Sequence, residues 1–228
     1  RGYDGVKMME GKPAWSQQWK TPPIDHDYFR PFWEKAEAMD VPITMHMADP
    51  VDYWWPSNPG SYCNLPPQEE CFRQTEAVLR RYPKLRIAFA HFLFLSPQLD
   101  RLGDLFSRFP KMRVDMALAD EYLYYCSDDP RKARDFFITW QDRILYGTDI
   151  SAHNSLRLAH AKAEMIRLFL ETDQTFTSLR DKAGDQPPTP GSNGRTELHG
   201  LALPQEVLDK IMWRNFEAFA GAMPKPVA

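Results

Sequence analysis

Residues 85–117 read LRIAFAHFLFLSPQLDRLGDLFSRFPKMRVDMA, and residues 142–153 read DRILYGTDISAH. The first stretch opens on an apolar run that reaches Ala90 and His91. Behind Pro97, Leu99, Leu102, Leu105, Phe106 and Phe109 then recur every three or four residues, the stripe of an amphipathic helix. MRVDMA closes the stretch as a second short apolar run, and RILYGTDI in the second stretch is a third. Short apolar runs joined by helical segments are the pattern of parallel strands with helical crossovers, because parallel neighbours cannot be joined by a tight turn.

The same alternation extends outward. GVKMM (5–9) and VPITMHM (41–47) read as two earlier strands. Phe29, Phe32, Trp33, Ala36 and Met39 mark a helix between them, with Asp25 or Asp27 available as N-cap. Phe72, Thr75, Val78, Leu79 and Tyr82 mark the next; Ala133, Phe136, Phe137 and Trp140 another. A long helix is expected over 155–170, and a last one from Pro204 through Ile211 to Phe219. Runs of this kind, apolar on both faces, suit strands of a buried parallel sheet in an α/β domain. Two stretches break the rhythm: 49–67, rich in Pro and aromatics, and 180–200, expected as a polar surface excursion. With no internal repeat or boundary, residues 1–228 read as a single domain.

Composition narrows the classes. The 228 residues are 43% hydrophobic and 26% charged, which sets aside disorder. Lys+Arg 28 against Asp+Glu 31 leaves no basic footprint for nucleic acid, and no apolar run approaches a membrane span. Cys63, Cys71 and Cys126 fit neither a zinc motif nor a disulfide framework, so reduced thiols in a cytoplasmic protein are expected. No Gly-rich strand-to-helix turn supports a doubly wound nucleotide binder.

His46, His91 and Asp149 each stand at the end of a predicted strand. In parallel α/β architectures ligands gather at the carboxyl ends of strands, so three such groups converge even when distant in sequence. Each alone has an ordinary reading: a hydrogen-bonded histidine, or an Asp capping the next helix. Their shared position points to a metal site. Trp54 and Trp55 follow in the next loop, where they either stack on a flat substrate or pack beneath the loop. His153 and His160 are expected to share a helix face as a structural pair. Lys7 reads as structural, and Asp115 as a residue lining the interior without an assigned role.

The segments quoted at the outset, together with GLALPQEVLDKIMWRNFEAFAG (200–221), resemble the amidohydrolase-related (amidohydrolase 2) family. That is the branch of metal-dependent (β/α)8 TIM barrels that includes aminocarboxymuconate-semialdehyde decarboxylase. The likeness covers nearly the whole chain. It implies that His46 is a metal ligand on the fifth strand, His91 a catalytic histidine after the sixth, and Asp149 a metal-binding or proton-handling Asp after the eighth. GVKMM then corresponds to the fourth strand and MRVDMA to the seventh. The family's first strand supplies a His-x-His pair that this sequence lacks, and strands one to three have no counterpart here. The expectation is therefore the C-terminal portion of a longer enzyme, opening on Arg1. The resemblance implies a divalent metal, zinc first and manganese second, and a small-molecule substrate, with carboxylated ring compounds favoured. It implies hydrolysis of a C–N or C–O bond, or alternatively non-oxidative decarboxylation of an aromatic or muconate-type acid. A non-catalytic relative without a complete metal site is the remaining alternative, and a homodimer is the default assembly.

Overall fold

Five strands line up in chain order. β1 (Val6–Gly11), β2 (Ile43–Met47), β3 (Ile87–Phe89), β4 (Met112–Asp115) and β5 (Ile144–Leu145) form one parallel sheet in the order β1-β2-β3-β4-β5. The structure is a computed structural model and describes residues 4–57, 62–117, 121–179 and 195–221. Each crossover steps one strand in the same direction, which is the winding of a barrel. The reversal of strand order that opens the crevice of a doubly wound sheet does not occur among the described strands.

The register sorts the strand residues onto two faces. Met8, Met45, Phe89, Val114 and Ile144 pair in one row across all five strands, and each is 5% exposed or less. This face packs against the helix stripes in one continuous core. The stripes come from α2 (Arg30–Ala38), α3 (Gln68–Arg81), α4 (Leu99–Arg108), α6 (Pro130–Thr139) and α7 (Leu156–Glu171), close to the predicted spans. On α4 alone, Leu99, Leu102, Leu105 and Phe106 are buried, each contributing about 1.5–3 kcal/mol relative to exposure.

The opposite row runs Lys7, Thr44, Ala88 and Arg113, followed by Asp115 paired with Leu145. The expectation of strands apolar on both faces is therefore corrected. The second face is mixed, and its polar residues mark where chemistry is available. Phe219 seats against Ala88 and Leu145 on this face, with Arg113 over its ring and Arg86 Nη1 donating to its carbonyl at 2.9 Å.

Other details differ from the sequence reading. Neither Asp25 nor Asp27 caps α2. His26 Nδ1 accepts from the Tyr28 amide at 3.1 Å and caps a short 3-10 turn, Asp27–Phe29, that leads into α2, which itself starts after Phe29 with no side-chain cap. Two helices were without a sequence signal: α1 (Pro13–Trp19) and α5 (Glu121–Asp128). His153 lies in the turn before α7, so it shares no helix face with His160. Of the expected excursion, 180–194 lies outside the described residues. Its end forms β7 (Glu197–His199), antiparallel to β6 (Thr175–Thr177), and His199 Nδ1 meets Thr175 Oγ1 at 2.8 Å. The last helical segment has α8 (Gln205–Asp209), a π turn over Lys210–Arg214, and α9 (Asn215–Ala220). Asn215 anchors it to the sheet, donating to the carbonyls of Gln141 and Ile144 at 2.6 and 2.8 Å.

Candidate active site at the carboxyl ends of the strands

His46 and His91 meet edge to face where β2 and β3 end, their ring centroids 4.9 Å apart. Both are buried, at 7% and 6% exposure. Phe94 closes over both rings, at 5.5 and 5.2 Å. Burial lowers the pKa of His46, outweighing the opposing pull of Asp49. Burial and the neighbouring His46 lower that of His91 to about 4. Both imidazoles are accordingly neutral near pH 7, the form that accepts a proton or binds a metal.

The backbone leaves each strand by a left-handed step. Ala48 after β2 has φ 67°, which turns the next residue, Asp49, back beneath His46. His91, Phe92, Leu93 and Phe94 form a run of four with φ between 53° and 57°. Such conformations cost non-glycine residues roughly 1–2 kcal/mol each, and strain of this kind clusters at functional sites. Burial of Phe92, Leu93 and Phe94 offsets it. The Phe92 ring stacks between Tyr122 and Phe137, each at 5.4 Å.

Asp49 organises the His46 side. Its Oδ1 lies 3.2 Å from His46 Nε2 and accepts from Lys12 Nζ at 2.7 Å. Its Oδ2 accepts from the Tyr62 hydroxyl at 2.8 Å, and its backbone carbonyl accepts from Gln68 Nε2 at 2.8 Å. Burial alone would raise the Asp49 pKa, but the bonds to His46 and Lys12 prevail and lower it. With Asp49 ionised, His46 donates through Nε2–H, and Nδ1 keeps the lone pair. On the other side, His91 Nδ1 lies 2.8 Å from the Ala117 carbonyl. A carbonyl only accepts, so His91 carries its proton on Nδ1 and presents Nε2 as the free acceptor.

Asp149, the third predicted residue, follows β5 with φ 50°, and its side chain is 58% exposed. Its charge acts on His91, yet it does not join the imidazole pair in one ligand set. Among the described residues no three His, Cys, Asp or Glu side chains are placed to hold a metal ion. The donor types suit zinc or manganese, but their number falls short of a full set. Lys162, buried on α7, donates from Nζ to the Asp149 carbonyl at 2.7 Å and lies 4.0 Å from its Oδ2. Trp54 is pinned by its indole N–H to the Pro66 carbonyl at 2.8 Å and meets Tyr62 edge-on, whereas Trp55 is 43% exposed. A groove of about 490 Å³ runs alongside, bordered by Gly11, Met47, Leu65 and Cys71.

Sequence reasoning passed over Lys12 and Lys162, read Tyr62 only as one of the aromatics of 49–67, and left Asp115 without a role. Lys162 had a signal. It occupies an apolar stripe position between Leu158, Met165 and Phe169, where a lysine is buried only with a partner.

A family model described as amidohydrolase matches residues 2–219. No curated protein matches the chain. Among solved structures, the chain is similar to an uncharacterized TIM-barrel protein from Bordetella bronchiseptica, at 15% identity and TM-score 0.50, over 94% of this chain and 57% of that one. It is also similar to an amidohydrolase II protein, at 11% identity and TM-score 0.52, over 96% and 62%. A 2,6-dihydroxybenzoate decarboxylase from Rhizobium aligns at 16% identity and TM-score 0.46, over 86% and 56%. The chain spans less than two thirds of the length of each of these structures.

Proposed function

The chain belongs to the amidohydrolase family, and from that premise we propose that it carries catalytic groups of a metal-dependent enzyme that hydrolyses C–N or C–O bonds of small carboxylated molecules. The observation that carries this reading is the buried imidazole pair, His46 and His91, at the carboxyl ends of adjacent parallel strands. A divalent ion, zinc or manganese, held with the help of His46 and Asp149 would polarise the substrate oxygen as a Lewis acid.

His91 handles the proton. Its free Nε2 accepts a proton from the attacking water as the oxygen bonds to the substrate carbon. It returns that proton to the nitrogen or oxygen that leaves, so the imidazole ends neutral. Asp149, on its exposed loop, is suited to pass protons between this centre and solvent as well as to supply a donor oxygen. Tyr62 bonds to Asp49 and packs against Tyr53 and Trp54, and these rings together with Trp55 would offer aromatic surface to a flat substrate. On a flat aromatic or muconate-type acid, the same groups would support the alternative reaction, loss of CO2 with protonation of the ring or chain carbon.

The test is turnover on a panel of lactones, amides, esters and aromatic carboxylic acids with added Zn²⁺ or Mn²⁺, followed for hydrolysis and for CO2 release. His91→Ala and Asp149→Asn should each abolish or strongly reduce whichever reaction is found. Undiminished turnover in both variants would remove the assignment.

A further inference from the structure

Asp115 ends β4 on the mixed face of the sheet, beside His91. Its Oδ1 accepts two backbone amides, that of His91 at 3.1 Å and that of Ala117 at 2.9 Å. Ala117 in turn offers its carbonyl to His91 Nδ1. One carboxylate oxygen therefore ties together the backbone of the histidine and the peptide that holds its ring. We propose that Asp115 is a positioning residue for His91, which fixes the Nδ1–H tautomer and aims the Nε2 lone pair into the site by clamping these two amides. The proposal rests on the reading of His91 as the proton-handling group.

The local chain shows why a clamp is needed. Regular strand pairing of β3 ends at Phe89, and from His91 onward the chain is left-handed for four residues. The His91 amide is thus beyond the regular strand ladder, and a partly buried N–H without an acceptor costs about 1–3 kcal/mol. Ala117 likewise lies past the end of β4, so its carbonyl direction is set by what holds its own amide. Asp115 satisfies both donors at once. Because both are neutral backbone amides, what the arrangement uses is the position of an acceptor oxygen. Burial raises the Asp115 pKa, and the charges that oppose this are His91 beside it and Lys7 from β1.

This separates two variants. Asp115→Asn keeps an acceptor oxygen at the same reach and removes the charge. Asp115→Glu keeps the charge and moves the oxygen outward by one methylene. In the full chain labelled with ¹⁵N-histidine, imidazole nitrogen shifts report the tautomer directly, and His91→Gln assigns the His91 signal. The expected result is Nδ1–H at His91 in the unaltered protein and in Asp115→Asn. Asp115→Glu should give mixed tautomers, with kcat lowered on the order of tenfold and KM within about twofold. Mixed tautomers in Asp115→Asn would overturn the proposal, as would an unchanged Nδ1–H signature in a folded Asp115→Glu. If Asp115→Glu does not fold, Asp115→Ala takes its place, and the Asp115→Asn spectrum decides alone if neither folds. Full turnover by His91→Gln would instead remove His91 from the chemistry and leave the tautomer result standing.

Discussion

Lys162 reaches from the apolar face of α7 to the backbone of Asp149, its Nζ 2.7 Å from the carbonyl oxygen. The lysine is 5% exposed, while the carboxylate it neighbours is largely open to solvent. The contact spans the turn between β5 and α7, in which Asp149 is left-handed with φ 50°.

Lys162→Met keeps the length of the side chain in an apolar stripe. Its stability should stay within about 1.5 kcal/mol of the original, since volume-conserving replacements are tolerated. The Asp149 turn should loosen, with faster amide hydrogen exchange at Asp149 and Ile150 and reduced turnover. Exchange unchanged at both positions would show that the lysine does not hold the turn.

Gly147 shows how closely the site depends on backbone approach. A Cβ there would lie 2.9 Å from the Ala117 amide nitrogen and 3.2 Å from its Cα. Gly147→Ala should therefore push the 115–117 segment off β5 and weaken the Ala117 bond to His91. A loss of about 1–3 kcal/mol in stability is expected, with a shifted His91 imidazole signal. A stability and an imidazole spectrum both unchanged would contradict the close packing.

The four left-handed residues from His91 to Phe94 depend on the stack beneath them. Phe92→Ala would remove the ring between Tyr122 and Phe137. The expected cost is about 3–5 kcal/mol, read as a lower urea midpoint. A shift under 1 kcal/mol would mean that the turn is held by other contacts.

Much of this was legible in the sequence, and the gaps have physical causes. His46, His91 and Asp149 were readable because an apolar run that ends in a polar residue marks a strand end. The two-sidedness of the sheet was hidden, since Ala88 and Leu145 are apolar residues on the mixed face. Helix α5 gave no stripe because Tyr122, Leu123, Tyr124 and Cys126 are buried around it, and a helix enclosed on several sides has no polar face to set a period. Helix α1 failed for the opposite reason. None of its residues is buried, and its Trp15 and Trp19 rings pack on each other at 4.9 Å. The clamp on His91 was out of reach because each of its three bonds uses a backbone atom, which carries no residue signature.

The thiols offer a pH-dependent check. Burial pushes Cys71 and Cys126 up to about 12, whereas Cys63 is exposed. An unfolded thiol titrates near about 8.5, so these two groups contribute stability that is complete below that pH. It is lost as pH rises through about 12. Iodoacetamide at pH 8.5 should modify Cys63 alone in the native protein, and all three cysteines after unfolding. Native modification of Cys126 at the rate of Cys63 would contradict its burial.

The central claim is that the His46–His91 pair is the chemical centre of this chain. The direct measurement is paramagnetic broadening by Mn²⁺ in ¹⁵N-histidine-labelled protein, which detects even weak binding and needs no substrate. The chain has six histidines, and four of them, His26, His153, His160 and His199, lie outside the pair. The account predicts that the His46 and His91 imidazole signals broaden first as Mn²⁺ is added, and that His46→Ala delays the effect at His91. Broadening confined to the four outlying histidines, with His46 and His91 sharp, would contradict it.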